Sequence, residues 1–173
     1  SEPRLLEGPW EWHVNTIAEK TTRTIDQYSV ERFGGATGGS RLIAEGLRFG
    51  ADIQVEYDSV FDVEPIPFRS FDETDTWTTA LSPFLIYDGR DSPFNPRSGF
   101  LESLRLRYSI PGISDNDLIE LNAQHIHLVP LWSDVVFVYS LGVGWVKSLA
   151  GDPIVPIRQR YFIGGGESVR GFA

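Results

Sequence analysis

The sequence predicts an all-β protein, an antiparallel transmembrane β-barrel segment. Three observations carry this reading. Apolar and polar residues alternate with a period of two along most of the chain. The alternating stretches form about six strands of roughly 10 to 14 residues, against about five or six residues in a usual globular sheet. The face opposite the apolar one carries charges, as a wet lumen allows and a buried core does not.

Each strand can be read in turn. "PWEWHVNTIAEKTTRTIDQYSV" (9–30) places Trp10, Trp12, Val14, Thr16 and Ala18 on one face, then becomes polar on both. "LRFGADIQVEYD" from Leu47 puts Leu47, Phe49, Ala51, Ile53, Val55 and Tyr57 opposite Arg48, Asp52, Gln54, Glu56 and Asp58. The stretches 78–91 and 118–129 alternate less regularly but remain strand-like. "GFLESLRLRYSI" (99–110) sets Leu104, Leu106, Tyr108 and Ile110 against Arg105 and Arg107. "VVFVYSLGVGWV" (135–146) sets Phe137, Tyr139, Leu141, Val143 and Trp145 against a face that shrinks to Gly142 and Gly144. That small face leaves room for something to lie against it. The joints are 91–99, 111–117 and 130–134, with longer ones at 31–41 and 58–77, rich in Gly, Pro, Asn, Asp or Ser.

Composition bounds the function. The chain has 173 residues, with 15 Lys plus Arg against 24 Asp plus Glu, for a formal net charge of -9. Nucleic acid is therefore not expected as a partner, since phosphate binding needs a clustered basic face. There is no cysteine, hence no disulfide framework and no Cys-based zinc site. No apolar run reaches the ~18 residues of a transmembrane helix. The chain has no methionine and no N-terminal signal pattern, so it reads as a piece of a longer protein. A rival reading is a soluble secreted β-sandwich that binds carbohydrate through Trp and Tyr. It requires a second sheet over the apolar face.

The chain closes on "YFIGGGESVRGFA". A nucleotide loop is excluded: Gly166 and Gly171 have P-loop spacing, but Phe172 and Ala173 stand where Lys and Ser or Thr are needed. Val169 likewise breaks G-x-G-x-x-G counted from Gly164. A Gly-rich hairpin loop with an exposed arginine is the plain alternative. The segment resembles the signature of the BamA/TamA superfamily of outer-membrane insertases and translocators, through Phe162, Gly164, Gly165, Val169, Arg170, Gly171 and Phe172. A second segment, "YDGRDSPFNPRSGF", is similar to that family's hairpin motif through Asp88, Arg90, Asp91, Pro96 and Gly99.

The resemblance implies a sixteen-stranded barrel preceded by periplasmic POTRA domains. Residues 1–173 are then a partial barrel domain, with POTRA domains and C-terminal strands outside it. Residues 158–173 become the sixth extracellular loop, folded inward so that Arg170 meets a carboxylate on the inner wall. The implied function is outer-membrane protein assembly, without catalysis and without a cofactor or metal. Within the same superfamily the alternatives are a polypeptide-secreting translocator and the barrel of a surface-displayed enzyme. The implied partners are outer-membrane lipids, unfolded β-barrel substrates, and accessory lipoproteins or other POTRA-bound proteins. The implied location is the outer membrane of a Gram-negative bacterium or a derived organelle.

Other groups were weighed. His125 and His127 share a strand face, which suits either a metal pair or two interfacial or luminal histidines. Asp88, Arg90 and Asp91 could form an acid–base group, but their turn context favours a structural ion pair. Ser168 lacks a nucleophile elbow. Trp10, Trp12, Trp132 and Trp145 read as interfacial girdle aromatics.

Overall fold

Strands seven to a sheet, each hydrogen-bonded to the next in chain order, make one antiparallel meander. The structure is a computed structural model that describes residues 9–23, 28–61, 75–132, 134–149, 155 and 159–161. The strands are β1 (Glu11–Arg23), β2 (Tyr28–Ala44), β3 (Leu47–Phe61), β4 (Asp75–Asp88), β5 (Gly99–Ser109), β6 (Leu118–Trp132) and β7 (Val135–Ser148). Among the described residues there is no helix and no second sheet. The apolar faces therefore have no sandwich partner, and the sandwich reading falls.

The expected count of six strands is corrected to seven. β2 occupies the 31–41 stretch read as a joint, and the 9–30 stretch divides between β1 and the start of β2. Two glycine pairs, Gly34–Gly35 and Gly38–Gly39, gave that stretch its loop-like look. Their reason is spatial. A Cβ on Gly38 would collide with Asp52 Oδ1, and one on Gly34 would lie 2.6 Å from the Val55 carbonyl oxygen. β2 is stripped of side chains where its neighbours' charges need the room.

The pairing register fixes two faces. His13, Gly38, Asp52 and Ser82 form one transverse row, since His13 pairs Gly38, Gly38 pairs Asp52 and Asp52 pairs Ser82. Further along, Arg107 pairs Glu120, and Glu120 pairs Val146. These residues face the concave side. Phe49, Ile53, Leu104, Leu141 and Val143 face the other side and are exposed, Val143 at 68% and Leu141 at 62%. That apolar, uncovered face is what lipid requires and water does not favour.

Aromatic residues bound the apolar band at both ends, as lipid–water interfaces select. Tyr57, Trp77, Tyr108 and Trp145 mark one end. Trp12, Tyr87, Phe100 and Tyr139 mark the other. The ten-residue step from Trp77 to Tyr87 covers about 33 Å of strand, or about 25 Å of depth at a ~40° tilt. On β4 that matches the apolar height of an outer-membrane barrel, while the corresponding steps are eight residues on β5 (Phe100 to Tyr108) and six on β7 (Tyr139 to Trp145).

The two ends of the strands are joined differently. β2 and β3 are linked through the two-residue turn Glu45–Gly46, with Gly46 at φ 71°. At the same end, the β4–β5 connection is longer and rigidly tied. At the opposite end, residues 110–115 extend the pairing of β4 beyond β5: Asp115 N–H donates to the Trp77 carbonyl and the Asp115 carboxylate accepts from Trp77 N–H, at 2.8 and 2.6 Å.

Candidate functional site

The concave wall is built from two parts. The first is an ion-pair network over β1 to β6. Asp52, 7% exposed at its side chain, accepts from His13 Nε2 at 2.8 Å and from Arg105 Nη1 at 2.7 Å. Both partners reach across an intervening strand, His13 over Gly38 and Arg105 over β4. Arg105 crosses β4 by laying its guanidinium on the Phe84 ring, 4.7 Å from the centroid. Such a contact adds about 0.5–2 kcal/mol.

Arg107 makes the second bridge. Its Nη2 donates to Glu56 at 2.8 Å, its Nη1 to Glu120 at 2.7 Å and its Nε to Gln54 at 3.2 Å. One guanidinium thus ties β3, β5 and β6, passing over Thr78, Ala80 and Ser82, each fully buried and small. A planar fork of fixed donors serves three acceptors where an ammonium could not keep the same geometry. At the β2–β3 turn end, Arg48 binds Glu11 with both terminal nitrogens, at 2.6 and 3.2 Å. Arg32 lies 3.3 Å from Asp58, which is fully buried. Each buried carboxylate has a cation because an unpaired charge there costs several kcal/mol.

The second part is the β6–β7 wall, and it is bare. Gly142 and Gly144 stand on the concave side, paired with Gln124 and Asn122. A Cβ on Gly144 would strike the ring of Tyr161, whose hydroxyl donates to Asn122 Oδ1 at 2.6 Å. A residue from beyond β7 has therefore come back onto the inner wall. Nearby, Arg160 Nε donates to the Val155 carbonyl at 2.8 Å. Among the described residues, nothing lies within 4 Å of a Cβ placed on Gly142. The small second face of 135–146 signalled the space, and nothing in the sequence singled out Tyr161 to fill it.

The hairpin-motif residues assemble into one turn between β4 and β5. Arg90 forks onto Asp88, Nε to Oδ1 at 2.8 Å and Nη2 to Oδ2 at 2.7 Å. The Asp91 carboxylate accepts from the N–H groups of Arg97 at 2.9 Å and Ser98 at 3.2 Å. Those two backbone donors hold its carboxyl below the usual carboxylate range. Gly99 takes φ 101°, and a Cβ there would collide with the Gly89 carbonyl. Only glycine meets both demands without strain. Pro96 sits in the turn, half-buried. Asp88 and Arg90 are bound to each other, so the geometry is that of a fastener. Residues of the loop motif, Phe162, Gly164, Gly165, Val169, Arg170, Gly171 and Phe172, lie outside the described residues, as does most of 158–173.

His125 and His127 face outward, not into the lumen. His125 Nδ1 donates to Glu102 at 3.2 Å, and His127 Nδ1 shares a hydrogen bond with the Tyr139 hydroxyl at 3.1 Å. Among the described residues, no group of three His, Cys, Asp or Glu side chains is placed to hold a metal ion. No described helix is long and apolar enough to cross a membrane, which says nothing of a barrel that crosses with strands.

An apolar outer face, aromatic bands at both ends and a charged concave wall define a section of a transmembrane β-barrel. The family model of the Omp85 superfamily domain matches residues 1–173, and the chain belongs to that superfamily. No curated protein matches the chain. Among solved structures it is similar to BamA from Haemophilus ducreyi lacking POTRA domains 1–3, with a TM-score of 0.78 and 20% identity. The alignment covers 99% of this chain and 36% of that one, so the chain spans about a third of that structure's length. At that identity the likeness concerns the fold.

Proposed function

We propose that this chain is the mid-barrel part of an outer-membrane assembly factor that folds and inserts β-barrel proteins. It makes and breaks no covalent bond in this role. It works in the outer membrane of a Gram-negative bacterium or a derived organelle. Its partners there are lipids, unfolded β-barrel substrates, and accessory lipoproteins or other proteins held by POTRA domains. Insertion is assisted where strand edges and a thinned bilayer lower the barrier. The residues described here brace the wall and seat the returning segment.

One observation carries the reading: Tyr161 lies on the luminal glycines in a chain whose whole length matches the superfamily domain. It supports a segment 158–173 that turns inward and carries Arg170 to a carboxylate. Arg170→Ala in the full-length protein should then weaken substrate insertion. Arg170→Lys should restore it only in part, because lysine keeps the charge and loses the two-pronged donor. An arginine exposed at the surface would change stability by no more than about 0.5 kcal/mol. The test compares heat-modifiable migration and insertion of an unfolded barrel substrate. Indistinguishable results for wild type and both variants would return the segment to an ordinary glycine-rich loop.

A further inference from the structure

The outward face of β3 to β7, between its aromatic bands, carries no charge except at one place. Phe49, Ala51, Ile53 and Val55 of β3, Leu81 and Leu85 of β4, and Leu141 and Val143 of β7 meet lipid without a charge. Among the described outward-facing residues of these strands, Glu102 and His125 are the only carboxylate and imidazole inward of the Phe100–His127 row, and they pair level with Tyr87. They pair across β5 and β6, one pleat inside the Phe100 ring. At the edge of the apolar band such a pair costs little, and its outward placement offers it to a lipid headgroup rather than to an acyl chain.

Their surroundings are specific. Tyr87, Phe100, His127 and Tyr139 crowd around them, with His125 5.8 Å from His127 and 5.7 Å from Tyr139, centroid to centroid. On the side towards the bilayer centre, Ala123 leaves a gap walled by Leu85, Leu104, Leu141 and Val143. The resulting groove of about 430 Å³ runs up to Tyr87, Glu102 and His125. An apolar channel thus opens onto a polar, aromatic mouth at the level of an interface.

We propose that this groove holds a phosphatidylethanolamine molecule, acyl chain over Ala123 and headgroup at Glu102, His125 and His127. Charge complementarity selects it. Glu102, half exposed, accepts from the ammonium. His125 Nδ1 lies 3.2 Å from Glu102, and in its neutral form the ring offers its Nε2 lone pair to the same ammonium. The Tyr87 and Tyr139 rings offer cation–π faces. His127 Nδ1 shares a hydrogen bond with the Tyr139 hydroxyl at 3.1 Å, and in the tautomer that accepts it the ring's Nε2 proton is available to the lipid phosphate. An anionic lipid with no amine would bring its charge against Glu102 uncompensated. The mouth lies at the end of the two-residue Glu45–Gly46 turn, the periplasmic end in such barrels.

The proposal rests on the outer face of this barrel meeting lipid. Its test is native mass spectrometry of the full-length protein, titrated with phosphatidylethanolamine or phosphatidylglycerol. Wild type should retain the ethanolamine lipid about tenfold better, the worth of one charge-assisted hydrogen bond. Glu102→Gln should erase the preference. Ala123→Leu, which fills the groove and leaves the mouth intact, should abolish retention of either lipid. Equal retention of both lipids by wild type overturns the proposal, as does unchanged behaviour in both variants. Only heat-modifiable, folded protein is compared. If neither variant folds, the wild-type preference decides alone. Protein that never becomes heat-modifiable in lipid would sink the barrel reading itself, whereas a folded barrel indifferent to headgroup sinks this site alone.

Discussion

The inner wall from β1 to Glu120 of β6 and the inner wall from Asn122 of β6 across β7 solve different problems with the same strand geometry. The first is closed on itself. His13, Asp52 and Arg105, and then Glu56, Arg107 and Glu120, satisfy one another across several strands. The second carries Gly142 and Gly144 and is completed by Tyr161, which arrives from beyond the last described strand. The small residues differ in purpose accordingly. In β2 and β4 they are gaps over which neighbouring charges reach each other. In β7 they are a seat for a separate segment. A self-sufficient wall resists change, while a bare wall commits the fold to an incoming partner.

Removing Arg107 attacks the closed half most severely. Arg107→Ala leaves Glu56 and Glu120 facing each other at side-chain exposures of 17% and 13% without their shared cation. The expected cost is about 3–5 kcal/mol, read as the urea midpoint of barrel unfolding. Arg107→Lys should recover less than half, because an ammonium cannot hold three acceptors in the fork's geometry. A loss below about 1 kcal/mol would mean that lumen water screens the pair as it does surface pairs.

The bare half predicts a smaller and more local effect. Gly144→Val puts a branched side chain where the Tyr161 ring lies, at the ~1–3 kcal/mol typical of overpacking. The strands themselves should tolerate it, since valine suits a strand better than glycine. The expected outcome is an intact, heat-modifiable barrel whose 150–173 segment is cut faster by added protease. Gly142→Val should leave that rate unchanged, because no described residue lies within 4 Å of the added Cβ. Equal cleavage of the two variants would erase the distinction between seat and empty wall.

The contrast also shows what was legible in the sequence. Period-two alternation exposed the two faces of β3, β5 and β7, because a lumen and a lipid phase impose opposite polarity on successive residues. β2 was hidden by its glycines, of which Gly34 and Gly38 leave room for Glu56 and Asp52 while Gly39 lies under the Trp12 ring. The network was illegible for a related reason. Arg107 meets Glu56 and Glu120 through a register set by distant turns, and spacing along one strand does not encode it. The hairpin residues Asp88, Arg90, Asp91, Pro96 and Gly99 were legible as a group, because a turn keeps its partners close in sequence. Tyr161 was not, although the space it fills was.

Outside both walls, the β4–β5 turn supplies the smallest expected effect and a control. The Asp91 carboxyl is held low by the N–H groups of Arg97 and Ser98. A group depressed on folding stabilises the fold above its unfolded value, about 4, and loses that contribution as pH falls through its lower folded value. Asp91→Asn should therefore weaken acid dependence only below about pH 4. It should leave the response of the luminal walls at neutral pH unchanged. A pH-stability profile with a neutral-range change would show that this turn is coupled to the lumen.

The most direct test of the two-sided wall and its seat uses the absence of cysteine from these 173 residues, with any cysteine elsewhere in the full-length protein replaced by serine. Single substitutions Leu141→Cys, Gly142→Cys, Val143→Cys and Gly144→Cys in the full-length protein in membranes would be labelled with a water-soluble maleimide. Only Gly142→Cys should react quickly, since it is on the luminal face and no described residue covers it. Gly144→Cys should react slowly and become fast when Tyr161→Ala is added. Leu141→Cys and Val143→Cys should resist this reagent and yield to a lipid-soluble one. Fast aqueous labelling at Leu141→Cys or Val143→Cys, or a Gly144→Cys rate indifferent to Tyr161→Ala, would contradict the account.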